Sequence, residues 1–221
     1  MLIKYIEKLK PVKILDVGCG CGSFTAKIAP YCGHITPIDS SQPLIDRCKK
    51  ENQLSNVDYA CMDARDIKYP ENSFDLVLER ASLHHILDWR TVLSEMVRVS
   101  SKHICIEEPI DDPSSEEKRN VIAAQSLFLE VQNETGYLHY KHLEPAVLKE
   151  YFTSRGMKYE SQMVKTDQSI DFDEYFAQYD RFAEKSKRKE YWLERLAGLK
   201  KELKGGKLSQ SDTLFVFAVQ P

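Results

Sequence analysis

The sequence predicts an α/β protein built on a parallel, doubly wound sheet. One observation is a cadence. Five apolar runs end at Val17, Ile38, Cys61, Glu79 and Glu107, and a helical segment separates each from the next. Another is the stretch from Lys13 to Gly22, KILDVGCGCG, in which a run fit for a strand buried on both faces passes into glycines and then a helix. The third is bulk. A chain of 221 residues, 42% hydrophobic and 29% charged, buries one substantial core with room for a modest insertion.

Taken in order, Leu2 to Leu9 reads as a short amphipathic helix with Leu2, Ile3, Ile6 and Leu9 on one side, ended by Pro11. Ile14, Leu15 and Val17 form the first strand. Gly18, Gly20 and Gly22 follow as G-x-G-x-G, and Ser23 to Ala29 reads as a helix. Strand, glycine turn and helix make a ligand cradle: glycine takes positive φ without a Cβ in the way, and the free amides of a helix start favour a carboxylate or phosphate. A tight turn with nothing bound fits the same residues. Gly33 to Asp39 is the second strand, and Asp39 at its tip stands where an acid accepts both hydroxyls of a ribose. Capping of a helix that begins near Ser40 or Ser41 is the other role for an Asp there. Pro37 departs from the pattern, because it removes a ladder donor from an inner strand.

The helix Gln42 to Glu51 leads to the third strand, Asn56 to Cys61, followed by Asp63 and Ala64. Phe74 to Glu79 is the fourth strand. Asp88 caps a helix in which Trp89, Val92, Leu93, Met96 and Val97 recur at helical spacing, and His103 to Glu107 is the fifth strand.

The phrase Leu15 to Gly22, LDVGCGCG, resembles motif I of the class I S-adenosylmethionine-dependent methyltransferases, close to LDxGCGxG. The dinucleotide fingerprint G-x-G-x-x-G fits less well, since the third glycine arrives one residue early. A second block, ENSFDLVLERASLHHILDW, resembles the same family's strand, histidine-bearing loop and helix. The resemblance covers the first half of the chain and points to the subgroup acting mostly on small molecules. It implies a Rossmann-like, seven-stranded, mostly parallel sheet with an antiparallel last strand. Met157 to Lys165, after a helix Glu144 to Arg155 closed by Gly156, suits the sixth strand, and Thr213 to Val219 suits the last. Residues 1–221 then form a single methyltransferase domain.

The resemblance also implies the site. Gly18, Cys19 and Gly20 line the S-adenosylmethionine cradle, with Asp16 near the methionine amino group. Asp39 and Ser40 lie at the ribose, Asp63 and Ala64 at the adenine, and the backbone of Glu79 and Arg80 at the sulfonium end. Methyl transfer from a sulfonium needs alignment and exclusion of water more than an obligate catalytic residue. If the acceptor atom carries a proton, His84 and His85, just after the fourth strand, are candidate bases and substrate contacts. Tyr137, His139, Tyr140 and His142 are candidates to reach the same mouth from above. Local backbone bonding or plain exposure is the structural alternative for each.

Residues 111–143 and 170–206 are expected to be helical cap or lid insertions. In the second, Phe172, Tyr175, Phe176, Tyr179 and Phe182 make one aromatic helical face, and Trp192, Leu196, Leu199 and Leu203 make another. These suit helices covering the sheet edge, or a lid with an aromatic inner wall over the methyl donor. Ten Lys or Arg residues between Arg181 and Lys207 raise the possibility of a polyanion partner, but they are offset from the apolar stripe and follow an acidic run that can pair with them. The net charge of −3 gives no global reason to expect nucleic acid. No apolar run approaches the about 20 residues of a membrane span, no signal peptide is evident, and the reading places the protein in the cytoplasm. The six cysteines read as reduced thiols. Cys19, Cys21, Cys32 and His34 supply zinc-type ligands, but the first two alternate with the cradle glycines, so no metal is expected.

The expected function is methyl transfer from S-adenosylmethionine to a small molecule, leaving S-adenosylhomocysteine. The alternatives are an RNA (tRNA) base methyltransferase, a non-catalytic S-adenosylmethionine-binding protein and, least supported, a nicotinamide dehydrogenase.

Overall fold

The centre of the protein is β1 (Lys13–Val17), buried along its length beyond Lys13. In the computed structural model, which describes residues 1–203 and 206–221, β2 (His34–Asp39) and β4 (Phe74–Arg80) flank it in parallel. The short β3 (Ala60–Cys61) lies parallel outside β2, and β5 (Ser100–Ile110) parallel outside β4. β9 (Asp212–Val219) runs antiparallel to both β5 and β6 (Lys158–Val164), which completes the order β3-β2-β1-β4-β5-β9-β6. The chain leaves β1 toward one edge and returns to its other side as β4. A crevice therefore opens above the carboxyl ends of these strands, where ligands bind in open α/β sheets.

Side chains alternate across the sheet and feed two apolar layers. Ile14, Leu76 and Leu78 pack with Leu2 and Ile6 of α1 (Leu2–Leu9), Ile28 of α2 (Ser23–Ile28) and Ile45 of α3 (Gln42–Glu51). Leu15, Val17 and Val77 pack on the opposite face with Val92, Leu93 and Met96 of α4 (Trp89–Val99) and Leu148 and Phe152 of α6 (Pro145–Thr153). Asp88 caps α4 as expected, accepting from Thr91 Oγ1 at 2.7 Å.

Three expectations about the sheet are refined. The third strand shrinks to two residues, with only an isolated bridge from Val57 to Ile35 before it. That gap resolves the Pro37 anomaly. Ile35 exchanges hydrogen bonds with Asn56 and Asp58, and the Asp39 carbonyl accepts from Met62, so odd-numbered β2 residues face β3. The donor that Pro37 lacks falls where the β2–β3 ladder is already interrupted. The helix after the glycine turn ends at Ile28 and continues as a 3₁₀ turn, Ala29–Tyr31. β5 runs on to Ile110, past the expected end at Glu107, because β9 pairs with it as far as Asp212.

The insertions form a third apolar cluster of their own. α5 (Glu116–Glu134) contributes Val121, Leu127, Phe128 and Val131, against Phe176 and Tyr179 of α7 (Phe172–Lys185) and Trp192 and Leu196 of α8 (Lys189–Glu202). A small pair, β7 (Ser169–Ile170) with β8 (Leu208–Ser209), closes the unit. The rings of the aromatic helix mainly build a core with α5, Phe128 stacking on Tyr179. Of that stripe, Tyr179 and Phe182 reach toward residues 137–142, Phe182 by its contact with Tyr137. Lys118 of α5, almost fully buried, ties the unit to the sheet through Asp212 at 2.5 Å and Asp112 at 3.3 Å. The end of the second insertion and of the basic segment, at 204–205, lies outside the described residues.

Candidate active site

The glycine turn is held open by its own backbone and by β2. Gly18 and Gly20 both lie in the left-handed region, at φ 72° and 54°. A Cβ at Gly18 would collide with Ser82 Oγ at 2.4 Å, whereas one at Gly20 would meet nothing within 4 Å. Gly18 therefore permits close packing of the β4 loop, and Gly20 borders free space. Asp39 fixes the turn: Oδ2 accepts from Gly20 N and Oδ1 from Ser41 N, each at 2.9 Å. Ser41 is the first residue before α3, so Asp39 accepts at the helix start while it fixes the glycine turn. Ser40 is exposed beside it.

Asp16 is buried beneath the turn, and Thr25 Oγ1 donates to it at 2.6 Å. Burial, with smaller pushes from Glu79 and Asp39, lifts its pKa to about 6 against the pull of Thr25 and Arg80. Arg80 is committed elsewhere, to Glu107 at 2.7 Å and over the Phe24 ring. Glu79 is fully buried, and its Oε1 accepts from Ser82 N at 2.5 Å, Ser82 Oγ at 2.8 Å and Leu83 N at 3.1 Å. Its Oε2 is buried, with no N–H or hydroxyl donor toward it among the described residues, and its carboxyl shares a hydrogen bond with Glu108. Asp63 sits in the turn after β3, its carboxylate engaged by Arg65, which lowers its pKa; Ala64 next to it is buried. Cys19 is half-buried, and burial pushes its thiol well above the usual range.

Beyond the turn, the structure gathers four histidines separated in sequence. The ring centroids of His84 and His85 are 4.2 Å apart, His139 lies 4.9 Å and 4.8 Å from them, and His142 is 5.5 Å from His84. Residues 137–142 are clamped on the β4 loop by Tyr140 N donating to the His84 carbonyl and by His85 Nδ1 donating to the Leu138 carbonyl, both at 2.7 Å. Tyr137 stands edge-on to His85. His84 is buried with Nδ1 2.7 Å from Glu108 Oε2, while Glu108 Oε1 accepts from Leu83 N at 3.0 Å. Burial and the neighbouring Glu108 raise Glu79 far above the carboxylate range. Glu108 is raised too, by burial, while Glu79 and nearby amides pull it down, so of the two Glu79 holds a proton the more firmly. Burial, and then His142, lower His84 to about 4, leaving a neutral ring.

Glu108, Ser82 and Thr25 are the site residues that sequence reading missed. The signal for Glu108 was an acid at an inward position of the fifth strand in ICIEEPI, hidden by ending that strand at Glu107. The zinc-type set is not assembled: Cys32 Sγ points to the Ile28 and Ala29 carbonyls, and His34 pairs with Asp58. Among the described residues no group of three or more His, Cys, Asp or Glu is placed to share a metal ion.

The sheet order and the crevice are those that the resemblance to the class I S-adenosylmethionine-dependent methyltransferases implied. Residues 15–103 match the family described as "Methyltransferase domain". A ubiquinone biosynthesis O-methyltransferase of Coxiella burnetii is 35% identical over 91 residues, 39% of each chain. The protein spans about two-fifths of the length of the curated relatives it matches. Among solved structures, the YcgJ protein of Bacillus subtilis superposes over 99% of this chain and 97% of its own, at TM-score 0.71 and 14% identity. The N-methyltransferase NodS of Bradyrhizobium japonicum, in complex with S-adenosyl-L-homocysteine, covers 100% of this chain and 86% of its own, at TM-score 0.59 and 17% identity.

Proposed function

We propose that the protein transfers a methyl group from S-adenosylmethionine to a small-molecule acceptor. The observation that carries this reading is a set of acids without a cation. Asp16 and Asp39 flank a turn whose middle glycine opens on free space, with the buried carboxyl of Glu79 beside it in its protonated form. A cationic amino acid bearing a nucleoside matches that charge; a dinucleotide diphosphate would add negative charge to it. Asp16 is suited to the ammonium group, Asp39 to the ribose hydroxyls, and Asp63 with Ala64 to the adenine. The bound donor supplies a methyl group made electrophilic by its sulfonium.

The remaining work falls to the chain. Ser82 and Leu83 amides, fixed by Glu79 and Glu108, hold the β4 loop at the crevice. Residues 137–142 close over it and exclude water. His84 receives the acceptor proton on Nε2, because its Nδ1–H is held by the Glu108 carboxylate. His85 lines the same mouth.

Calorimetric titration tests the reading: S-adenosylmethionine binds saturably, and Asp39→Ala weakens it by roughly tenfold or more, the scale expected when a charge-assisted hydrogen bond is lost. Indifference of the wild-type protein to this ligand ends the proposal. The RNA reading is less supported. Arg188 pairs with Glu134, Lys189 with Glu184, Arg195 with Glu130 and Lys200 with Asp180, so much of the basic face is already neutralised.

A further inference from the structure

Two acids and an imidazole, Glu79, Glu108 and His84, are buried together behind the β4 loop. Glu79 pairs with Ile106 across β4 and β5, so Glu108, two residues further on, stands on the same face of the sheet. Leu83 N is shared between the acids, 3.1 Å from Glu79 Oε1 and 3.0 Å from Glu108 Oε1, and the two carboxyls share a hydrogen bond. Glu108 Oε2 then meets His84 Nδ1 at 2.7 Å, which completes a chain Glu79–Glu108–His84. Its near end touches the glycine turn. Ser82 Oγ donates to Glu79 Oε1 at 2.8 Å and lies against Gly18, where a Cβ would come within 2.4 Å of it.

Among the described residues no lysine or arginine pairs with either acid, and Arg80, next along β4, is held by Glu107. Asp16 of β1 adds a further acid, α4 turns Val92, Leu93 and Met96 to this face, and His139 and His142 neighbour the His84 ring. A buried acid pair with no cation beside it retains a proton, and a cation brought close favours the ionised form. Burial and then Glu108 raise Glu79, and burial raises Glu108, as a proton held between them requires. S-adenosylmethionine is positive at sulfur; S-adenosylhomocysteine is neutral there.

We propose that Glu79 and Glu108 form a proton-sharing pair that acts as counter-ion to the sulfonium, giving up a proton when the cationic donor binds and regaining one through His84 during transfer. This rests on the methyltransferase reading and makes Glu79 and Glu108 positioning residues of that same site. The balance closes over one turnover. A bond from the acceptor heteroatom to the methyl carbon replaces the methyl–sulfur bond, whose electron pair stays on sulfur and cancels the positive charge. His84 Nε2 takes the heteroatom's proton, the Nδ1 proton passes to Glu108 Oε2, and the pair again holds the proton it released.

The test uses the intact chain and the two ligands that differ in this charge, S-adenosylmethionine and S-adenosylhomocysteine. Each is titrated calorimetrically from about pH 6.5 to about pH 9 in buffers of different ionisation enthalpy, which counts the protons released. Groups that meet the shared ammonium, ribose and adenine cancel in the difference between the two ligands. The expected result is more protons released with S-adenosylmethionine, and a ratio of its affinity to that of S-adenosylhomocysteine that rises with pH, by at most about tenfold per unit. Glu79→Gln flattens the ratio and removes the proton difference, whereas Asp16→Asn weakens both ligands and keeps it. If Glu79→Gln unfolds, infrared difference spectra of the Asp16→Asn chain decide. The band of a protonated carboxyl is lost with S-adenosylmethionine and kept with S-adenosylhomocysteine. Equal proton release by the two ligands across the range, a band unchanged by both, or a difference that survives Glu79→Gln or vanishes in Asp16→Asn overturns the proposal in a chain that still binds S-adenosylmethionine. Binding of neither ligand overturns the methyltransferase reading itself.

Discussion

Asp16 carries a conflict between folding and binding. Its carboxyl rises from 3.8 to about 6 on burial, so the folded chain binds a proton that the unfolded chain releases between those values. The contribution to stability is fully present below about pH 4 and is lost as pH rises through 6, a swing of about 3 kcal/mol at 1.36 kcal/mol per unit. Asp16→Asn removes that swing and still offers Thr25 an acceptor. Urea unfolding of the ligand-free variant should show a gain of about 1–3 kcal/mol at pH 7.5 and little change near pH 4, together with weakened S-adenosylmethionine binding. Equal stability of both proteins at pH 7.5 would remove the conflict. The histidines act in the opposite sense. His84 and His139 fall to about 4 and about 3 through burial, so stability declines as pH drops from 6.5 toward those values. Glu108→Gln keeps the shape but not the charge beside His84; kcat should fall with little change in KM, and the acid limb of the pH profile should move.

At the scale of elements, the helical unit depends on two features. Truncating Phe128, fully buried against Tyr175, Phe176 and Tyr179, costs about 3–5 kcal/mol by the usual reckoning for a buried aromatic. Hydrogen exchange should then speed up in α5, α7 and α8 and leave β1 and β4 protected. Lys118→Met strands the buried Asp212, one of whose oxygens already lacks a partner, and should cost about 3–5 kcal/mol. A denaturation midpoint unchanged in this variant would show that the ion pair does not hold the unit to β9. The sequence made these helices legible through their 3.6-residue periodicity. Their destination was not legible, because an apolar stripe states that a face is buried without stating against what.

At the scale of the molecule, the candidate site lies where three segments distant in sequence meet: the glycine turn, the β4 loop and residues 137–142. Ligands that bind only the folded chain stabilise it by mass action, about 2.7 kcal/mol at a hundred times Kd. S-adenosylmethionine should therefore raise the midpoint of thermal unfolding in a concentration-dependent way, and NADH should not. Because four of the ten basic residues are already paired, retention on RNA at low salt should be weak and unaffected by charge reversal at Lys187 and Lys189.

The sequence by itself determined the glycine turn and the five-strand cadence, because these depend on short-range rules: apolar runs, glycine φ, and an acid at a strand tip. Asp39 beside Gly20 was readable for that reason. Only the tertiary structure decided the rest. It brought His139 and His142 onto His84, placed Glu108 behind that ring, and put the missing donor of Pro37 at a gap in the ladder. Each depends on which strand neighbours which and where a distant helix docks, and those are set by burial summed over the whole chain, which no local pattern encodes.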